Sequence, residues 1–115
     1  MDERLPTELW VDAHVRKLNT LGMSVYIAQK GEKTGGMVLV KLYFLRDKKC
    51  RVLTQVRDYE TNKLGWIDVF EGELVLESEA DQYIREERMN DPDLWVVEVE
   101  TQEDENPFEG KLITL

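Results

Sequence analysis

The chain has 115 residues, 42% hydrophobic and 34% charged, with a formal net charge of −9 and one cysteine. That mix suits one packed domain and excludes a disordered chain, while a lone Cys50 excludes an internal disulfide. No run approaches the roughly 18 apolar residues of a spanning helix, which excludes a helical membrane segment.

Thr7 follows Pro6 and suits an N-cap, and Glu8 suits the positive end of a helix dipole. Leu9, Trp10, Ala13, Leu18 and Leu21 recur at helical spacing, and Gly22 fits the position after a helix end. A helix is expected over 8–21. MSVYIAQK at 23–30 is rich in strand formers. GEKTGG at 31–36 is a turn in which Gly35 and Gly36 could take positive φ. MVLVKLYFL at 37–45 is apolar on both faces except for Lys41, the pattern of a central strand or one covered on both sides. After the RDKK turn at 46–49, CRVLTQVRDY at 50–59 is half polar. ETNKLG turns the chain at 60–65, and WIDVF at 66–70 gives a fourth strand. The short turns predict an antiparallel four-strand meander.

Ser78-Glu79-Ala80-Asp81 resembles a capping box, predicting a helix over about 79–89 with Ala80, Tyr83 and Ile84 inward. Asp91-Pro92 stops it, since the residue before proline avoids the helical region. LWVVEVE at 94–100 is a fifth strand. The polar stretch 102–110 is an acidic loop, and 111–115 either adds a short strand or frays. The expectation is a single α+β domain over 1–115, in the order α-β-β-β-β-α-β. Its sheet is mostly antiparallel, with both helices on one face.

Charge is uneven. Residues 1–70 hold twelve basic and nine acidic side chains, and residues 71–115 hold three basic and fifteen acidic. The acidic half repels phosphate backbones and anionic membranes and favours a basic protein surface, or simply solubility. The first ten residues are charged and lack the apolar core of a secretory leader, which together with Cys50 points to the cytoplasm.

RLPTELWVDA at 4–13, GGMVLVKL at 35–42 and DQYIREERMNDPDLWVVEVE at 81–100 resemble a family of small, mainly alphaproteobacterial proteins known as domain of unknown function 1491. DPDLWVVEVE is the most specific part of the resemblance, which covers about residues 4–100. The chain departs from the family pattern at Lys30-Gly31-Glu32 and over 102–115. The resemblance implies a small bacterial cytoplasmic protein and carries no activity, cofactor or site.

Several side chains have the chemistry for a site. Glu98 and Glu100 share one strand face roughly 6.5–7 Å apart, which could hold Mg²⁺ or serve acid–base work. The plainer reading is a half-buried strand with Trp95, Val97 and Val99 inward and the acids outward, while Asp91 and Asp93 shape a turn. Pro92-Asp93 with Glu109-Gly110-Lys111 fits the P-D…E-x-K pattern of metal-dependent nucleases, if 93 and 109–111 lie on adjacent strands. Arg16, Lys17, Arg46, Lys48, Lys49 and Arg51 could gather at one end of the meander and attract nucleic acid. No aromatic interleaves them for base stacking. His14 reads as a partly buried structural residue, Cys50 as a small core residue, and Trp10, Trp66 and Trp95 as core anchors. No residue is assigned a catalytic, cofactor-binding or metal role. The reading leans away from an enzyme, toward a module that binds a basic protein partner or a second copy of itself. The alternative is a nucleic-acid-associated protein, and the third is a hydrolase using Asp93, Glu109 and Lys111.

Overall fold

The computed structural model describes residues 5–102 and 106–113. The elements are α1 (Thr7–Thr20), β1 (Ser24–Gln29), β2 (Val38–Phe44), β3 (Lys49–Arg57), β4 (Leu64–Asp68), β5 (Val75–Leu76), α2 (Glu77–Asn90), β6 (Trp95–Thr101) and β7 (Lys111–Leu112). The α+β class and the element order hold, with the short β5 added before α2. The expected tail strand is β7; the acids at 103–105 and the end at 114–115 lie outside the described residues.

The strands form one mixed sheet in the order β1-β6-β2-β3-β4-β7, with β5 pairing the start of β3. Most pairings are antiparallel; β2 with β6 and β4 with β7 are parallel. The four-strand meander is therefore corrected: β2, β3 and β4 follow one another, but β6 lies between β1 and β2. Burial explains the insertion. Leu94 and Val96 are buried on one side of β6, and Trp95, Val97 and Val99 on the other. Such a strand needs cover on both faces and neighbours on both edges. β1, with Ser24, Tyr26 and Ala28 exposed, can stand at the sheet edge.

The two helices also part company. α1 contributes Trp10, Val11 and Leu18 to a cluster with Val38, Val40, Leu42 and Phe44. α2 contributes Ala80 and Ile84 to a second cluster with Leu39, Cys50 and Val52. Alternation along β2 sends those two sets to opposite sides. One helix therefore covers each face, and the expectation of both on one face is corrected. The two apolar faces of β2 could not both be buried otherwise.

α1 presents Trp10, Val11, His14 and Leu18 inward, while Leu9 and Leu21 are exposed, so the buried stripe is turned from the predicted one. Gly22 takes a positive φ of 92° just past the helix, as expected. Gly35 and Gly36 do not have positive φ. Gly36 matters for close approach instead: a Cβ there, as at Gly31, would collide with the Asp93 carbonyl. That contact docks the 31–36 turn onto the start of β6, where the Glu32 amide donates to the Asp93 oxygen at 2.9 Å.

Candidate functional site

β1 and β3 end, and β2, β6, β4 and β7 begin, at one end of the sheet. The start of α1 is tied to that end. Thr7 and Glu8 donate their backbone N–H groups to the carbonyls of Thr34 and Lys33, at 3.1 and 2.9 Å, and the Thr7 hydroxyl donates to the Gly36 carbonyl at 3.0 Å. The two backbone bonds satisfy two of the free amides of the first helical turn, which would otherwise await a ligand or a cap.

Between the helix start, the 34–37 segment, the end of β3 and the 109–111 segment lies a cleft of about 530 Å³. Trp10 and Gln55 sit in its lining, with Leu5, Met37 and Leu64 as further apolar contributors. The far wall is the 58–63 turn, anchored where the Asp58 amide donates to the Lys63 carbonyl at 2.8 Å. Tyr59 in this turn is 97% exposed, and Met37 is 39% exposed. The charged side chains at the mouth are Arg57, Lys63 and Lys111 against Asp58 and Glu109. Lys111 Nζ lies 3.5 Å from the Asp58 carboxylate. The Glu60 amide, helped by the Lys111 charge, holds the Asp58 carboxyl below its ordinary range against the upward push of desolvation.

An aromatic base supports the cleft. Trp10 packs 5.9 Å from Phe108 and 6.2 Å from Trp66, centroid to centroid. Trp66 donates its indole N–H to the Glu109 carbonyl at 2.9 Å, fixing the 109–111 wall. Gln55 is 5% exposed, and its Nε2 is sealed from solvent without a hydrogen-bond partner among the described residues.

A second polar centre lies on the other face. Lys41, 3% exposed in the middle of β2, directs Nζ to Glu77 and Asp81 at 2.8 Å each and to Glu98 at 3.3 Å. Burial pulls the Lys41 pKa down, but hydrogen bonds and charge from Asp81 and Glu77 outweigh it and leave the pKa raised. Burial, then repulsion from Glu100, raises the Glu98 pKa, so its longer contact with Lys41 does not offset its desolvation. This centre is internally satisfied, and its three carboxylates are occupied by one resident ammonium.

The family model described as Protein of unknown function (DUF1491) matches residues 5–109. The chain belongs to the DUF1491 family. A crystal structure of a DUF1491 family protein from Caulobacter crescentus CB15 is similar, with a TM-score of 0.84 and 27% identity over 95% of this chain and 99% of that one. An NMR structure of a DUF1491 family protein from the same organism gives 0.82 and 26%, over 98% and 100% of the two chains. Protein Atu0922 from A. tumefaciens, at 24% identity and a TM-score of 0.73 over 91% and 92%, shares the fold. No curated protein matches the chain.

In this DUF1491 chain the residues singled out in the sequence are dispersed. Asp93 stands at the start of β6 and Glu109 and Lys111 at β7, with β2, β3 and β4 between them. Four strand spacings amount to roughly 19 Å, so the P-D…E-x-K residues do not meet across adjacent strands. Arg46, Lys48 and Lys49 do share the opposite end of the sheet with the end of α1, where Arg16 and Lys17 lie. The last residues of β6, including exposed Glu100, intervene between β1 and β2 there. Arg51 is held elsewhere, its Nε 3.2 Å from the Asp68 carboxylate.

Asp91 and Asp93 shape the turn as expected, with the Asp93 amide donating to the Asp91 side chain at 3.0 Å. Glu98 departs from expectation: it faces α2 and Lys41 rather than open solvent. His14 is buried, donates through Nδ1 to the Trp10 carbonyl at 2.9 Å and stacks 5.7 Å from Phe108. Cys50 is fully buried, and that burial, only partly opposed by Lys41, pushes its thiol up to about 11. Among the described residues, no group of three His, Cys, Asp or Glu side chains is placed to hold a metal ion. Sequence reasoning missed the cleft, whose Gln55 and Arg57 fall on one face of a strand that reads as ordinary alternation. A signal for the Lys41 centre was present: one lysine inside an apolar run, with Glu77 and Asp81 four apart on a helix.

Proposed function

We propose that this protein is a non-catalytic binding module that takes a segment of another protein in the cleft beside the start of α1. The observation that carries this reading is apolar exposure at the rim: Met37 is exposed in the cleft lining beside Trp10, and Tyr59 is exposed in the 58–63 turn whose Asp58, Thr61 and Lys63 line the far side. A small molecule held inside the cleft would leave that rim in water, whereas a chain passing over it would cover the rim too. Exposed aromatic and Met side chains beside a pocket are the usual anchors of protein contacts. The full burial of Cys50 supports a non-catalytic role, since its thiol is not presented to solvent as a nucleophile. The lone buried cysteine suits a cytoplasmic setting, which we propose for it together with a bacterial source. No described helix is long and apolar enough to cross a membrane.

The test is site-specific photo-crosslinking in cells that make the protein. A photoreactive residue at Tyr59 or Met37 should yield adducts with one partner protein, and the same residue at Glu86 on α2 should not. Equal adducts at all three positions, or adducts with RNA alone, end this reading. Adducts with a second copy of the chain assign the cleft to self-association instead.

A further inference from the structure

We propose that the Asn19 side chain guards the open edge of β1, and that without it two copies of this chain pair through that edge. The inference does not depend on the cleft. Among the described strands, β1 has a neighbour, β6, on one side only. The direction of its backbone groups follows from the pairing. The Trp95 amide donates to the Met37 carbonyl at 2.8 Å, so Trp95, Val97 and Val99 turn their backbone groups to β2, and Glu98 and Glu100 turn theirs to β1. Tyr26 lies opposite Glu98 and Ser24 opposite Glu100, so those two residues direct their N–H and C=O groups to β6. Val25 and Ile27 direct theirs to the open edge. The Val25 amide is met there: it donates to Oδ1 of Asn19, in the last turn of α1, at 3.3 Å. No side chain among the described residues covers Ile27 in the same way. Beyond it the register shifts between Ile27 and Gln29, an irregularity of the kind that ends pairing along an edge.

Exposed edges are commonly kept from pairing by lysine, proline or another charge on the strand. SVYIAQ has none of these, in a chain that is 34% charged. The guard therefore falls to the Asn19 contact and the shifted register. A second copy is the occupant that this edge fits. Set antiparallel about a two-fold axis at Tyr26, Val25 of each copy faces Ile27 of the other, and each such pair exchanges both of its backbone bonds. A β-branched side chain then meets a β-branched side chain in each pair. Tyr26, 48% exposed, meets its own counterpart on the axis. Because the strand is uncharged, the seam holds no like-charge contact, although each copy has a net charge of −9. Each pair needs the Val25 amide, and Asn19 holds it.

The native chain and Asn19→Ala are compared by sedimentation velocity over a range of concentrations, with amide exchange followed by ¹⁵N NMR. The native chain should stay monomeric, with Val25 exchanging at least about tenfold more slowly than Ile27. Asn19→Ala should self-associate at least about tenfold more tightly and protect the Ile27 amide as it does so. Asn19→Asp keeps an acceptor at the same reach and should behave as the native chain does. Tyr26→Lys added to Asn19→Ala sets like charges on the axis and should return the monomer. Unchanged association in Asn19→Ala, association that leaves Ile27 unprotected, a pair that survives Tyr26→Lys, or a native chain already paired through Ile27 would each overturn the proposal. If Asn19→Ala does not fold, the native chain decides: equal exchange of Val25 and Ile27 shows that Asn19 guards nothing.

Discussion

A lysine in the middle of a central strand is costly to bury unless its charge is met. Lys41 is met by three carboxylates from two different elements, and the strength of each contact follows its geometry. Asp81→Asn removes a 2.8 Å contact from a half-exposed carboxylate and should cost about 1 kcal/mol in urea unfolding, exposure having reduced the usual charged-bond value. Glu98→Gln should leave Tm unchanged or slightly higher. The Glu98 pKa is raised in the folded chain, so its contribution is present below the ordinary carboxyl value of 4.5 and is lost as pH rises through the folded value. At neutral pH its ionised form is therefore a burden rather than a support. Lys41 titrates in the other window. Its folded pKa lies above the ordinary 10.5, so its stabilisation is complete below 10.5 and fades as pH climbs through the folded value. The urea midpoints of the native chain and Lys41→Met should differ at pH 7 and converge above about pH 10.5. A constant gap would show that the charge is not what Lys41 contributes. Trp95, fully buried and bonded from its indole N–H to the Glu32 carbonyl at 2.8 Å, is the corresponding apolar case. Trp95→Ala should cost about 3–5 kcal/mol by denaturant unfolding.

The elements differ in how they are secured, and α2 shows why local sequence signals can mislead. Ser78 to Asp81 has nearly the pattern of a capping box, but the helix begins at Glu77 directly after β5, Leu76 holds the cap position, and no side-chain cap bond forms. The carboxylate that would have capped the helix points to Lys41 instead. Ser78→Ala should therefore change stability by less than about 0.5 kcal/mol, where loss of a true cap would cost about 1 kcal/mol; thermal unfolding distinguishes the two. With only Ala80 and Ile84 buried, α2 has a narrow apolar footing, and the ion contacts to Lys41 complete its attachment. Helix and strand identities were legible because periodicity and turn residues are local. The mates of Lys41 were not, because they lie 36, 40 and 57 positions away and only the folded sheet brings them together. Gln55 gave no signal for the same reason: an amide in a half-polar strand looks solvated until the cleft around it is built.

At the scale of the whole molecule, β2 and β6 form the buried centre, flanked on both faces and on both edges. Their amides should be the slowest to exchange with deuterated solvent, and those of β1 and β7 at the margins the fastest among the strands. The two-faced apolar pattern of 37–45 announced the central place of β2. The acids of 94–100 made β6 read as a half-buried strand, wet on one face, and the preference of consecutive strands to pair argued for a meander. Burial prevailed over adjacency, and with it went the one-sided helical layer. The order of synthesis then acquires a consequence. β6 is the last long strand to be made, and it fills a slot between two strands made much earlier. A chain halted before Leu94 has β1 and β2 with no strand to join them, each with an unpaired edge. Such a truncated product leaves those edges open to its neighbours, so premature termination near residue 93 should yield edge-paired aggregates rather than a smaller folded monomer.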